Sequence, residues 1–208
     1  MRLAVFASGG GTNFQAILDA VAAGRLPAEV VLCLSHRADA GALERARRHG
    51  VPTAVLSPED AADADALLGV LDRHGADFIA LAGYMKKVPD AVVARYRGRM
   101  LNVHPALLPA FGGKGMYGRR VHEAVVAHGV RWTGATVHLV DEEYDTGPIV
   151  LQEPVPVRPG DTPEAVAARV LAVEHLLFPE ALRLFAEGRV RIEGRHVFID
   201  DAPSADAP

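Results

Sequence analysis

A single cysteine, Cys33, stands among 208 residues, which excludes an intramolecular disulfide and any paired-cysteine redox or metal motif. Set inside EVVLCLS, its thiol reads as a small buried apolar side chain rather than a nucleophile. No apolar run approaches the ~20 residues of a membrane-spanning helix. The opening MRLAVFASGGG lacks the long apolar stretch and cleavage site of a signal peptide and reads as a first strand. Basic charge is not in excess: the formal net charge is −4, which argues against a general nucleic-acid binder. No HExxH motif and no calcium-loop spacing occurs, and His122 and His128, six residues apart, would fall on different helix faces, so no metal is expected. What is left is an ordinary globular composition, 50% apolar and 23% charged, expected in the cytoplasm and away from membranes.

What is present alternates. RLAVFA, EVVLCLS, TAVL, DFIALA and MLNVH are short continuous apolar runs, the pattern of strands buried on both faces. Helical spacing lies between them at Asn13–Ala22, Ala42–His49, Ala61–His74 and Asp90–Tyr96, with Ser57-Pro58 read as the cap and first position of the third helix. This predicts an α/β fold: a mostly parallel, twisted central sheet with helices on both faces. After residue 118 a helix over Arg119–Ala127 leads to WTGATVHLV and PIVLQEPVPV, whose short acidic connection DEEYDTG implies antiparallel pairing. The prolines of EPVPV put the second of these strands at an edge. Asp161-Thr162-Pro163 opens a long helix that Pro179 should break or kink. RVRIEG and RHVFI suggest a terminal hairpin. No repeat or linker is visible, so residues 1–200 are read as one domain and 201–208 as a disordered tail.

Four stretches can carry chemistry. In ASGGGTNF, residues 7–14, glycines precede a helix start, so Gly11, Thr12 and Asn13 could hold a phosphate; the alternative is a tight turn with Thr12 as cap. Phe14 stands where a dinucleotide fingerprint needs its third glycine. In LNVHPALLP, residues 101–109, Asn102 and His104 alternate with Val103 and so share one strand face, and Pro105 ends the strand. HLVDEEYDTGPI, residues 138–149, reads as a solvated acidic turn, the alternative being a cation site whose spacing matches no calcium loop. GYMKKVP, residues 83–89, follows the fourth strand, with Met85 and Val88 as an apolar wall and Lys86 and Lys87 as positive charge. Lys114, Arg119 and Arg120 could add to that charge and attract an anion.

Together and in this order, SGGGTN, LAGYMKKV, LNVHPALLP and HLVDEEYDTGPI, with VLAVEHLLFP in support, resemble the phosphoribosylglycinamide formyltransferases of purine biosynthesis over residues 1 to about 200. The resemblance implies a Rossmann-like formyltransferase fold and transfer of a formyl group from 10-formyltetrahydrofolate, as cosubstrate, to the amine of glycinamide ribonucleotide. It implies a catalytic trio of Asn102, His104 and Asp145. It also implies a phosphate site at Gly11, Thr12 and Asn13, with Glu174 near the glycyl amine or ribose. Met85, Lys86, Lys87, Val88 and Asn102 would border the folate. Only small molecules are implied as partners, with a homodimer open.

The chemistry accepts these roles. An amine attacking a formyl carbon gives an oxyanion that Asn102 and a protonated His104 could stabilise, and Asp145 is expected to raise the His104 pKa. Ala106 departs from the HPSLLP of many relatives, the loop AFGGKGMYGRR is longer than the common version, and SPEDAADAD lacks an arginine some relatives place near the folate. Rivals are formyl transfer to another acceptor, a formyltetrahydrofolate hydrolase, and an NADP-dependent reductase using Arg37.

Overall fold

The computed structural model describes residues 1–201. Its elements run β1 (Arg2–Phe6), α1 (Thr12–Ala22), β2 (Glu29–Ser35), α2 (Gly41–Arg48), β3 (Thr53–Val55), α3 (Ala64–His74), β4 (Phe78–Leu81) and α4 (Asp90–Arg95). They continue with β5 (Met100–His104), α5 (Arg119–Ala127), β6 (Trp132–Leu139), β7 (Ile149–Pro156), α6 (Pro163–Ala186), β8 (Val190–Glu193) and β9 (His196–Ile199). Seven strands form one sheet in the order β3-β2-β1-β4-β5-β6-β7. The pairings from β3 through β5 are parallel, and β6 and β7 add antiparallel. β8 and β9 make the separate hairpin.

Burial follows the pleat. Along β1, Leu3 and Val5 enter a cluster with Phe14 and Ile17 of α1 and Phe178 and Leu182 of α6. Ala4 and Phe6 enter the opposite cluster, with Leu67 and Leu71 of α3 and Val92 of α4. Strands apolar on every residue therefore need helices on both faces. A third cluster seats Val121 and Val125 of α5 and Val166 and Val170 of α6 against Ala135 and Val155 of the antiparallel strands.

The strand order reverses between β1 and β4, which opens a crevice at their carboxyl ends. There Ser8 N–H donates to the Gly83 carbonyl at 3.1 Å. β7 forms the outer edge, with Pro154 opposite Gly134 and Pro156 opposite Trp132.

Two expectations are corrected. The third helix does not begin at Ser57-Pro58. Ser57 Oγ only accepts from the Asp60 N–H at 3.1 Å in a preceding turn. Asp63 is the N-cap of α3, its carboxylate accepting from Asp65 and Ala66, and an acceptor next to the helical run outcompetes one six residues earlier. Of the break or kink expected at Pro179, the break does not occur: α6 continues through it to Ala186. Phe178, Ala181 and Leu182 around it are fully buried, and this packing offsets the missing backbone donor. The tail reading falls, apart from Asp201, outside the described residues.

Asp63→Ala should cost about 1 kcal/mol of stability, read as a lower urea midpoint at unchanged slope. Ser57→Ala should shift that midpoint much less.

Candidate active site

A cavity of about 870 Å³ opens at the carboxyl ends of β1, β4 and β5, walled further by residues 113–120 and α6. All nine sequence-derived site positions besides Asp145 and Glu174 line it, and so do those two.

The glycine loop after β1 forms part of the lining. Gly11 is the N-cap of α1 in the left-handed region, with no side chain capping the helix and no acidic residue in its first turn. Thr12 is thus the first helical residue and not a cap. A Cβ at Gly11 would stand 2.7 Å from Ala42 Cα, so both the backbone angle and the approach of α2 demand glycine. The first N–H groups of α1 have no intrahelical acceptor, which makes this end attractive to an anion. Asn13 Nδ2 donates to Glu174 Oε2 at 2.6 Å, while Asn13 Oδ1 is buried without a partner. Burial pushes the Glu174 carboxyl up to about 7, against the opposing hydrogen bond from Asn13.

The polar residues of β5 also face this cavity. Asn102 lies opposite His138 in the antiparallel register with β6, and its Nδ2 is 3.0 Å from His138 Nε2. His138 Nδ1 is 2.8 Å from the Leu139 carbonyl. A carbonyl only accepts, so Nδ1 carries the proton and the Nε2 lone pair takes the Asn102 N–H. The Asn102 amide is thereby oriented by a buried histidine to which the HLVDEEYDTGPI motif alone assigns no role. Cross-strand register, unknown before β6 is paired, was the signal needed to find it.

His104 Nε2–H donates to the Phe111 carbonyl at 2.8 Å. Its Nδ1 faces Asp145 Oδ2 at 3.5 Å, beyond a good hydrogen bond. Asp145 adopts φ +59° and Phe111 φ +54°, uncommon for non-glycine residues and concentrated at this one spot. Asp145 Oδ2 also accepts from the Gly113 N–H at 2.9 Å. Burial would raise the Asp145 pKa, but the His138 contact, the His104 ring, whose attraction acts only in its protonated form, and the Gly113 N–H set the net direction below the ordinary carboxylate value. The expected rise at His104 does not occur. Burial dominates and lowers its pKa, with Asp145 and the Phe111 carbonyl only opposing that fall. An imidazole 3% exposed loses more hydration on charging than one carboxylate restores.

The GYMKKVP segment forms the remaining wall. Met85 N–H donates to Ser8 Oγ at 2.8 Å, so Ser8 joins this wall to the glycine loop. Val88 is buried and Met85 half exposed. Lys87 is paired with Asp90 at 2.7 Å, leaving Lys86 as the uncommitted cation of the two. Arg119 is similarly paired with Glu123 and Glu164. The acidic turn is structural in part: Asp141 Oδ1 accepts from Glu143 N–H at 3.2 Å and Thr146 Oγ1 at 2.7 Å. Among the described residues no group of three potential ligands could hold a metal ion. Cys33 is far from this chemistry in character, its thiol pushed up to about 12 by burial.

Because Glu174 is protonated more readily folded than unfolded, its burial costs stability as pH rises from the ordinary glutamate range to about 7. Glu174→Gln should therefore gain relative to the unmodified chain across that window, by on the order of 3 kcal/mol at its upper end. Paired urea titrations at pH 4.5 to 8 measure the difference; a pH-independent difference would contradict the assignment.

The formyl transferase family model matches residues 1–182. The chain is 46% identical over 195 residues to the chloroplastic phosphoribosylglycinamide formyltransferase of Arabidopsis thaliana, covering 91% of this chain and 67% of that protein. It is 37% identical to the phosphoribosylglycinamide formyltransferase of Escherichia coli, covering 96% and 94%. It spans only 19% of the bovine trifunctional purine biosynthetic protein it also matches. The crystal structure of glycinamide ribonucleotide transformylase 1 from Symbiobacterium toebii superposes with a TM-score of 0.90 at 46% identity, over 97% of this chain and 94% of that one. With the family model and a near full-length relative agreeing, the chain belongs to the formyl transferase family, among its phosphoribosylglycinamide formyltransferases.

Proposed function

We propose that this site transfers the formyl group of 10-formyltetrahydrofolate to the amine of 5-phosphoribosylglycinamide, a step of de novo purine biosynthesis. The observation that carries the reading is one continuous cavity whose lining includes an anion-seeking helix start. Asn102, His104 and Asp145 line the same cavity, and the Met85–Val88 wall joins the glycine loop at the end of β4, the strand between β1 and β5. A phosphorylated acceptor suits the helix start, a folate ring suits the Met85–Val88 wall, and the polar residues of β5 would meet the reacting carbon. The helix start also favours this acceptor over water, and so a transferase over a hydrolase.

The residues act as follows. The amine nitrogen attacks the formyl carbon, forming one C–N bond and placing a negative charge on the formyl oxygen. The second N–H of Asn102, its first being held by His138, donates to that oxygen. His104 is neutral before attack, since burial lowers its pKa, and so it can accept the proton the amine sheds. Once an oxyanion lies beside it, the imidazolium is stabilised by both that charge and Asp145. The same proton then passes to the departing folate nitrogen as the old C–N bond breaks, restoring neutral His104. Asp145, held ionised, steadies the intermediate without forming a bond to substrate. No covalent nucleophile enters.

Purified protein given both substrates should release folate product with formylated acceptor in equal amount. Product formed equally well without the amine would mean hydrolysis and overturn the reading. His104→Ala should lower kcat by about 10²–10⁴-fold with the fold retained. The acid limb of the kcat–pH profile should lie below the ordinary histidine value. Asp145→Asn removes a charge that raises the His104 pKa, so that limb should move to still lower pH; movement upward would contradict the proton path.

A further inference from the structure

An anion pocket built from backbone needs N–H groups facing the ligand and carbonyls facing away. Glycines do not enforce this, because their peptide groups reorient at little steric cost. In this loop the carbonyls are tied from behind by α2. The Gly9 carbonyl accepts from the Ala42 N–H at 3.1 Å, and the Gly10 carbonyl accepts from Arg45 Nε at 2.8 Å. C=O and N–H point in opposite directions across a trans peptide. Holding those two carbonyls toward α2 therefore turns the N–H groups of Gly10 and Gly11 toward the cavity. The contact leaves no slack: a Cβ at Gly41 would stand 3.2 Å from both Gly10 Cα and the Gly10 carbonyl oxygen.

Arg45 is the side-chain half of this clamp and is itself fixed, Nη1 donating to Gln15 Oε1 at 3.0 Å. Gln15 donates onward to Asp19 Oδ1 at 2.9 Å. Both acceptors of Arg45 are neutral oxygens, so its charge stays uncompensated at close range. It stands directly behind a helix start that already favours negative charge.

We propose that Arg45 is a positioning residue for the anion-binding loop. It holds the Gly10–Gly11 peptide with its N–H toward the cavity and adds positive potential from behind, setting affinity for the phosphate-bearing acceptor without touching it. The inference rests on the reading of the glycine loop as the phosphate site, and the experiment separates the two. Steady-state kinetics on the unmodified enzyme, Arg45→Met and Arg45→Lys, with inorganic phosphate as competitor, read each part. Arg45→Met should raise the KM for the acceptor about tenfold, the loss of one charge-assisted hydrogen bond. Its kcat should stay within about twofold, and its KM for the formyl donor should not change. Arg45→Lys keeps the charge without the Nε geometry and should fall between the two. Inhibition by phosphate, competitive against the acceptor, should weaken in parallel.

If phosphate fails to compete with the acceptor in the unmodified enzyme, the phosphate reading of the loop falls. If phosphate competes there but both variants keep the acceptor KM, the role of Arg45 alone falls. A general structural defect would instead raise both KM values and lower kcat together, and would equally overturn the proposal.

Discussion

The site depends first on the antiparallel pairing of β5 with β6. A parallel strand in that place would bring different residues alongside β5. Because the register sets Asn102 against His138 and His104 against Thr136, the backbone bearing the amide and imidazole is held by the sheet, while the imidazole's own partners, Phe111 and Asp145, come from loops. Thr136 then ties down the segment after β5. Its Oγ1 donates to the Ala106 carbonyl at 2.6 Å and accepts from the Leu108 N–H at 3.1 Å. Residues that must be placed within fractions of an ångström for acyl transfer are thus borne on the stiffest part of the fold.

Electrostatics divides the cavity. Glu174 is driven toward its neutral form and His104 likewise, both by burial. Asp145 is driven the other way, burial being outweighed by its contact with His138, a backbone donor and the attraction of His104 whenever that ring is protonated. Three titratable groups lining one cavity therefore rest in states that ordinary values would not assign to all of them. A neutral base beside a fixed anion is the arrangement that proton transfer during amine attack requires.

Much of this was legible in the chain itself. Continuous apolar runs announced the parallel strands, the two polar residues of LNVHP announced a strand-end site, and EPVPV announced an edge. What escaped reading was nonlocal. His138 acquires meaning only opposite Asn102, and Ser8 only beneath Met85. The sign of the His104 shift needed its burial, which spacing does not reveal. Asp63 displaced Ser57 as cap because several short polar side chains compete for one helix start, and Pro179 survived inside α6 because its neighbours are core. Local rules yield where packing supplies more free energy than they cost.

The prolines of β7 carry a last consequence. Pro154 and Pro156 lie on the outermost strand, where a further strand would look for donors along the free edge. Proline offers none, so growth of the sheet by edge-to-edge addition is discouraged there. At that border the seven-stranded sheet has a built-in terminus, which guards against indiscriminate strand pairing at high protein concentration.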